Sequence, residues 1–419
     1  VLLGTAWLAA VTPPEKFLGY PVGADRKLAD YGEIRAYFQL LAQESPDIKV
    51  VELGKTTQGQ DMFMVVITHR DNMPRLAEFI GQSRRLRDAA GLSEADARQI
   101  ARTGKPIVLA TCNIHSTEIA SSQMSMELAY KLVTGQTPYP QPDVLQNVIF
   151  LLMPSINPDG QKMVVDWYRK YVGTKYEGGF MPYLYHPYAG HDDNRDWFMF
   201  NLAETRLVSK VLFEDCLPQV HIDEHQMGST GARLFLPPFD DPPTPQVPPL
   251  VWREAGLIGM SIAADMEQQG FQGVTHGSTF TGWWIGACDD TSWFHNMVGL
   301  LSELASARMG TSIYIEPGEV QQFERKQTMS SPSPWKGGWW RPRDLVDYEL
   351  ALNFALLKSV VLYKEDILFN YYKMNRDAIE RRPAGSPFAY LVPPDQWDPP
   401  TALKMMDILK TGGVIIHQA

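Results

Sequence analysis

Pro106-Ile-Val-Leu-Ala-Thr-Cys-Asn-Ile-His115-Ser-Thr-Glu118-Ile-Ala-Ser-Ser-Gln-Met-Ser-Met-Glu-Leu-Ala-Tyr-Lys-Leu132 is the stretch on which the reading turns. Residues 106–113 form a short apolar run of the kind that becomes a buried strand, and residues 119–132 read as a helix. An imidazole and a carboxylate three residues apart, where strand gives way to helix, can reach one cation together. Catalytic zinc uses such nitrogen and oxygen donors and keeps one position open. A carboxylate in a first helical turn is also favoured by the helix dipole alone, so the metal reading depends on partners elsewhere in the chain.

A third ligand is offered by Pro218-Gln-Val-His-Ile-Asp-Glu-His-Gln-Met-Gly228. Residues 219–225 alternate as a strand does, which puts His221, Asp223 and His225 on one face. His225 stands where the strand ends, the place where parallel sheets present ligands, and is preferred. His221 lies deeper and suits a structural role, although either imidazole has the right chemistry. Asp223 suits a partner that orients a ligand imidazole. In Val298-Gly-Leu-Leu-Ser-Glu303 an apolar strand carries one carboxylate, which is costly unless the group is paired, for example with Arg308, or functional.

These motifs, in this order, resemble the zinc carboxypeptidases of the funnelin type, in particular large secreted bacterial ones, over roughly residues 30–375. The resemblance implies one zinc per chain held by His115, Glu118 and His225, with Glu303 as general base. Asn157-Pro-Asp-Gly160 is similar to a turn of that family. Trp167-Tyr-Arg-Lys170 resembles the segment whose arginine polarises the scissile carbonyl, which implies that role for Arg169. Asp193-Asn-Arg-Asp-Trp197 resembles the stretch whose Asn-Arg pair grips a terminal carboxylate, which implies Asn194 and Arg195. The implied substrate is a peptide with a free C-terminal carboxylate. Each role has physical sense: a guanidinium donates two parallel hydrogen bonds to a carboxylate, and a buried carboxylate can move the proton of an attacking water.

Two departures from the family stand out. Its mobile tyrosine has no counterpart in Gly277-Ser-Thr-Phe-Thr-Gly-Trp-Trp-Ile-Gly286, where Phe280, Trp283 and Trp284 can wall a pocket but cannot donate a phenolic proton. Tyr314 is the candidate substitute. The region that selects the substrate side chain corresponds to Gly286-Ala-Cys-Asp-Asp-Thr-Ser-Trp293, where Asp289 or Asp290, the latter taken as substrate-binding, favours a basic side chain by charge. Consecutive aspartates also cap helices and turns.

A chain of 419 residues exceeds one ordinary core, and its net charge of −10 argues against a nucleic-acid partner. No run of eighteen apolar residues is present, so no membrane-spanning helix is expected. The apolar, small-residue stretch at 1–12 resembles the tail of a signal peptide and points to a secreted or periplasmic protein. The three cysteines cannot all pair, and Cys288 is not needed as a ligand. Strands alternate with helices from residue 31 onward, which predicts an α/β fold with a mixed, mainly parallel sheet and helices on both faces. The aperiodic stretch 161–197 reads as a functional loop. The expected division is a zinc carboxypeptidase-like catalytic domain over 13–380, a linker at 381–387 and the start of a second α/β unit, strand-helix-strand, over 388–419. Two other functions stay open: a zinc amide hydrolase acting on peptidoglycan peptides or N-acyl amino acids, and an inactive zinc-binding module that recognises carboxylates.

Overall fold

Parallel strands at the centre of one sheet bring the motif residues together. The structure, a computed structural model, describes residues 11–139, 143–380 and 389–418. Ten strands are described: β1 (Ile48–Lys55), β2 (Asp61–Ile67), β3 (Ile107–Cys112), β4 (Ile149–Met153), β5 (Val220–Met227), β6 (Leu234–Phe235), β7 (Val274–Thr275), β8 (Val298–Ala305), β9 (Ile313–Ile315) and β10 (Gly338–Trp340). The helices are α1 (Pro14–Leu18), α2 (Tyr31–Glu44), α3 (Leu76–Asp88), α4 (Glu94–Thr103), α5 (Ala120–Val133), α6 (Val144–Asn147) and α7 (Pro158–Tyr171). They continue with α8 (Ala203–Lys210), α9 (Pro249–Gln268), α10 (Cys288–Trp293), α11 (Pro342–Leu362), α12 (Lys364–Glu380) and α13 (Pro399–Thr411).

The main sheet has the order β1-β2-β4-β3-β5-β8-β6-β7. Its centre is parallel through the pairs β4–β3, β3–β5 and β5–β8, and β1–β2, β2–β4 and β6–β8 are antiparallel. The expected mixed sheet is thus present. Alternation along β2 sends Phe63, Val65 and Ile67 into one core and Met62, Met64 and Val66 into the other. Residues of α2, α5, α9 and α11 fill the first core, and residues of α3, α4, α8 and α12 the second. The chain leaves β3 toward β4 on one side and leaves β5 toward β8 and β6 on the other. A crevice therefore opens at the carboxyl ends of β3 and β5, the usual ligand position in such sheets.

Several expectations need correction. The aperiodic reading of 161–197 missed α7, which Asn157 caps by accepting from Gly160 N at 2.9 Å and which buries Val164, Val165 and Tyr168. The helical run from Pro342 to Glu380 breaks at Tyr363, because α11 belongs to the first core while Leu368, Tyr371 and Tyr372 of α12 belong to the second. Of the strand-helix-strand expected after 388, only the helix α13 forms among the described residues; the flanking segments meet no partner strand. Residues 1–10 of the expected leader and the linker at 381–387 lie outside the described residues. Thr12 packs on the domain, donating to both carboxylate oxygens of Glu44 at 2.7 and 2.8 Å. Among the described residues, no helix is long and apolar enough to cross a membrane.

Candidate active site

The turn after β3 begins at Asn113, whose φ of 61° swings the chain out of the sheet. Asparagine tolerates this left-handed conformation better than most residues. Its side-chain amide donates to the carbonyls of Ser116 (3.4 Å) and Glu118 (3.1 Å), and its oxygen accepts from Ser155 Oγ at 3.1 Å. Asn157 braces the same turn from β4, donating to Ile114 O at 3.1 Å and to Asp193 Oδ2 at 2.6 Å. His115 and Glu118 are thereby held at the crevice. Strand β5 brings His225 beside them, and the β5–β8 register places Glu303 directly across from His225.

The donors converge through the Nδ1 atoms. His115 Nδ1 and His225 Nδ1 are 3.2 Å apart, and the Glu118 carboxylate lies 3.0 Å from the first and 3.1 Å from the second. Ligand atoms about 2.0–2.1 Å from a tetrahedral zinc are separated by about 3.3 Å, so the three residues fit that ion. The far nitrogens are also committed. His115 Nε2 meets Asp192 Oδ1 at 3.0 Å, and His225 Nε2 meets Asp223 Oδ2 at 2.8 Å. A carboxylate behind each imidazole fixes the ring and aims the opposite nitrogen at the cation.

Electrostatics point the same way. Burial opposes charge on His115, but its bonds to Asp192 and Glu118 outweigh burial and raise it to about 10. His225 is raised well above its usual value against the same burial cost, through Asp223 and Glu118. Burial also opposes charge on Glu118 and Asp223, yet their imidazole partners hold both below the usual carboxylate range. Three carboxylates around two imidazoles make a cradle that calls for positive charge, which a divalent cation supplies.

His221 takes no part. Its ring spans Thr111 Oγ1 at 2.9 Å and Ser292 Oγ at 2.8 Å, and burial lowers it to about 4, so it is a neutral structural group. Glu303 is free of ion pairs among the described residues, and none reaches Arg308. Burial raises it to about 8, Glu118 and Asp289 adding to the effect and the two imidazoles opposing it.

One cavity of about 340 Å³ joins these groups. Its lining includes His115, His225, Glu303, Asn194, Arg195, Asp289 and Asp290, with walls from Phe239, Phe280, Trp283 and Trp284. Asp289 and Asp290 each leave Oδ2 buried without a hydrogen-bond partner among the described residues. Burial raises Asp289 to about 7, helped by Asp223, and raises Asp290 well above its usual value, helped by Asp289. Arg195 is half-exposed at the cavity, donating from Nη1 to Asn194 O at 2.7 Å. Asn194 Oδ1 accepts from Cys288 N at 2.9 Å, and its Nδ2 lies 3.2 Å from His225 Nε2.

Two expected residues are not brought to the cavity. Arg169 lies on the last turn of α7, where its guanidinium binds Asp30 (3.0 Å), Glu33 (2.5 Å) and Leu28 O (2.7 Å). Three acceptors hold it there. Tyr314 sits on the small β9–β10 sheet, edge-on to Trp339 at 5.5 Å, and is half-exposed. The sequence reading passed over Asp192 as the partner of His115, since no local pattern links positions so far apart in the chain.

Residues 34–214 match the model of the zinc carboxypeptidase family. That segment contains His115, Glu118, Asn194 and Arg195, and the fold supplies His225 and Glu303 from beyond it. A carboxypeptidase B of Astacus astacus is 27% identical over 169 residues, which are 40% of this chain and 44% of that protein, so the match spans less than half of the relative's length. Among solved structures, a metallo-carboxypeptidase from Burkholderia cenocepacia superposes with a TM-score of 0.51 at 14% identity, covering 80% of this chain and 70% of its own. Thrombin activatable fibrinolysis inhibitor superposes with a TM-score of 0.51 at 12% identity, covering 84% and 78%. The chain therefore carries the sequence signature of the zinc carboxypeptidase family in residues 34–214 and the metallocarboxypeptidase fold around it.

Proposed function

We propose that the protein is a zinc-dependent hydrolase that releases C-terminal amino acids from peptides. The observation that carries this reading is the meeting of His115, His225 and Glu303 in one cavity lined also by Arg195, with Glu118 within ligand distance of both imidazoles. Zinc held by His115, Glu118 and His225 supplies Lewis acidity to the scissile carbonyl and to water. Glu303 accepts the proton of the attacking water at a carboxylate oxygen and returns it to the leaving amine nitrogen. Arg195 grips the substrate's terminal carboxylate through its planar fork. Asn194, held by Cys288 N and set beside His225, steadies that grip. Arg169 stays with Asp30 and Glu33, and no step is assigned to it.

The unpartnered carboxyl oxygens of Asp289 and Asp290, inside aromatic walls, support a preference for a cationic terminal side chain. Such a group pairs with them at the moment water leaves. Release of C-terminal Lys or Arg should exceed release of Phe or Leu from otherwise identical peptides, and Asp290→Asn should narrow the difference.

The assignment is tested by metal content and amino-acid release measured on one preparation, wild type beside Glu303→Gln. The expected result is one zinc per chain in both, release by the wild type, and a loss of about 10²–10⁴-fold in the variant. Zinc binding without any release would move the reading to an amide hydrolase on cell-wall peptides or N-acyl amino acids, or to a carboxylate-binding module. Absence of zinc binding would overturn it.

A further inference from the structure

Arg195 lies on a short turn, Asp193–Arg195, and its guanidinium stands over the indole of Trp284, 5.5 Å from the ring centroid. Both residues line the cavity and both are about half exposed. A half-exposed arginine samples many rotamers, and each hydrogen bond to substrate then costs conformational entropy. Here three sides are restrained: Asn194 O at 2.7 Å, Asp192 Oδ2 at 3.8 Å and the Trp284 face.

The shelf that carries Trp284 is itself fastened to the arginine's turn. Trp197 N donates to Gly286 O at 3.3 Å, Cys288 N to Asn194 Oδ1 at 2.9 Å, and Thr291 Oγ1 to Trp197 O at 3.2 Å. The indole folds back across Gly286, where an added Cβ would lie 3.0 Å from Trp284 Nε1 and 3.3 Å from Cε2. The chain just after Trp284 is therefore tied to the turn that carries Arg195.

We infer that Trp284 is a positioning residue for Arg195: its indole forms a fixed shelf that presents the guanidinium to the substrate's terminal carboxylate. This inference rests on the carboxypeptidase reading. Its test uses the full chain in the Glu303→Gln background, where an intact peptide can be held without turnover, and compares calorimetric Kd for a peptide acid and the same peptide as its C-terminal amide. Trp284→Ala should weaken the acid about two- to fivefold, the change that an exposed cation–π contact converts to, and leave the amide unaffected. Trp284→Tyr should restore most of the loss. In an Arg195→Ala background, Trp284→Ala should cost nothing further. Equal weakening of acid and amide, or a loss that persists without Arg195, would make Trp284 a direct contact or a packing residue and overturn the inference alone. Equal binding of acid and amide before any change at 284 or 195 would overturn the carboxylate grip itself, and the inference with it.

Discussion

Single side chains show where this protein tolerates unpaired charge and where it does not. At the cavity, unsatisfied carboxyls have a functional reading, but Glu254 on α9 is not among the residues that line it. It is 4% exposed, accepts from Asn370 Nδ2 at 2.9 Å through Oε1, and leaves Oε2 without a partner among the described residues. Burial raises it to about 7, with Asp366 adding to the shift and Asn370 opposing it. A folded value above the unfolded one means that the folded state binds the extra proton. The contribution to stability is therefore full below about pH 4.3 and is lost as pH rises through about 7. Glu254→Gln keeps an acceptor for Asn370 and removes the titration. Its thermal midpoint should match wild type near pH 4.5 and exceed it at pH 8, by up to ~3 kcal/mol of stability. Melting curves at the two pH values check this, and parallel pH profiles for both proteins would count against it.

At the scale of elements, the turn from β4 into α7 braces the loop that carries His115 and Glu118. Gly160 is required there by close approach. A Cβ at that position would overlap Ser116 Oγ and lie 2.6 Å from the Tyr185 carbonyl oxygen and 2.8 Å from Asn157 Nδ2. Ser116 belongs to the loop between His115 and Glu118, so a push at Gly160 is felt at the ligands. Gly160→Ala should cost about 1–3 kcal/mol in denaturant unfolding and should weaken zinc retention against a chelator. A midpoint unchanged from wild type would show that the turn can give way. The same helix explains one limit of sequence reading. Asn157 and Pro158 are start signals for a helix, but the aromatic and glycine-rich run that follows Tyr171 hid its extent. Arg169 then resembled a loop residue free to enter the site, whereas it stands on the last turn facing Asp30 and Glu33.

For the molecule as a whole, the proposed ligands after β3 and on β5 and the proposed base on β8 would tie the centre of the sheet to one ion. Zinc that binds only the folded arrangement stabilises it by mass action, by ~4 kcal/mol at a thousandfold excess over Kd. Saturating zinc should therefore raise the thermal midpoint of the chelated protein by several degrees, and His115→Ala should abolish the rise; an equal rise in that variant would place the bound metal elsewhere. Much of this arrangement was legible in the chain itself. The apolar run before His115, the alternation of 219–225 and the lone carboxylate at Glu303 are local patterns, because strand period and burial leave a mark on neighbouring residues. The sequence determined the α/β class, the order of the motifs and which residues are candidate metal donors. Which residues stand behind those donors was decided by tertiary structure alone. Asp192 behind His115, Trp284 beneath Arg195 and the capture of Arg169 by α2 and its cap join positions far apart in the chain, and such contacts exist only once the sheet order and helix packing are set.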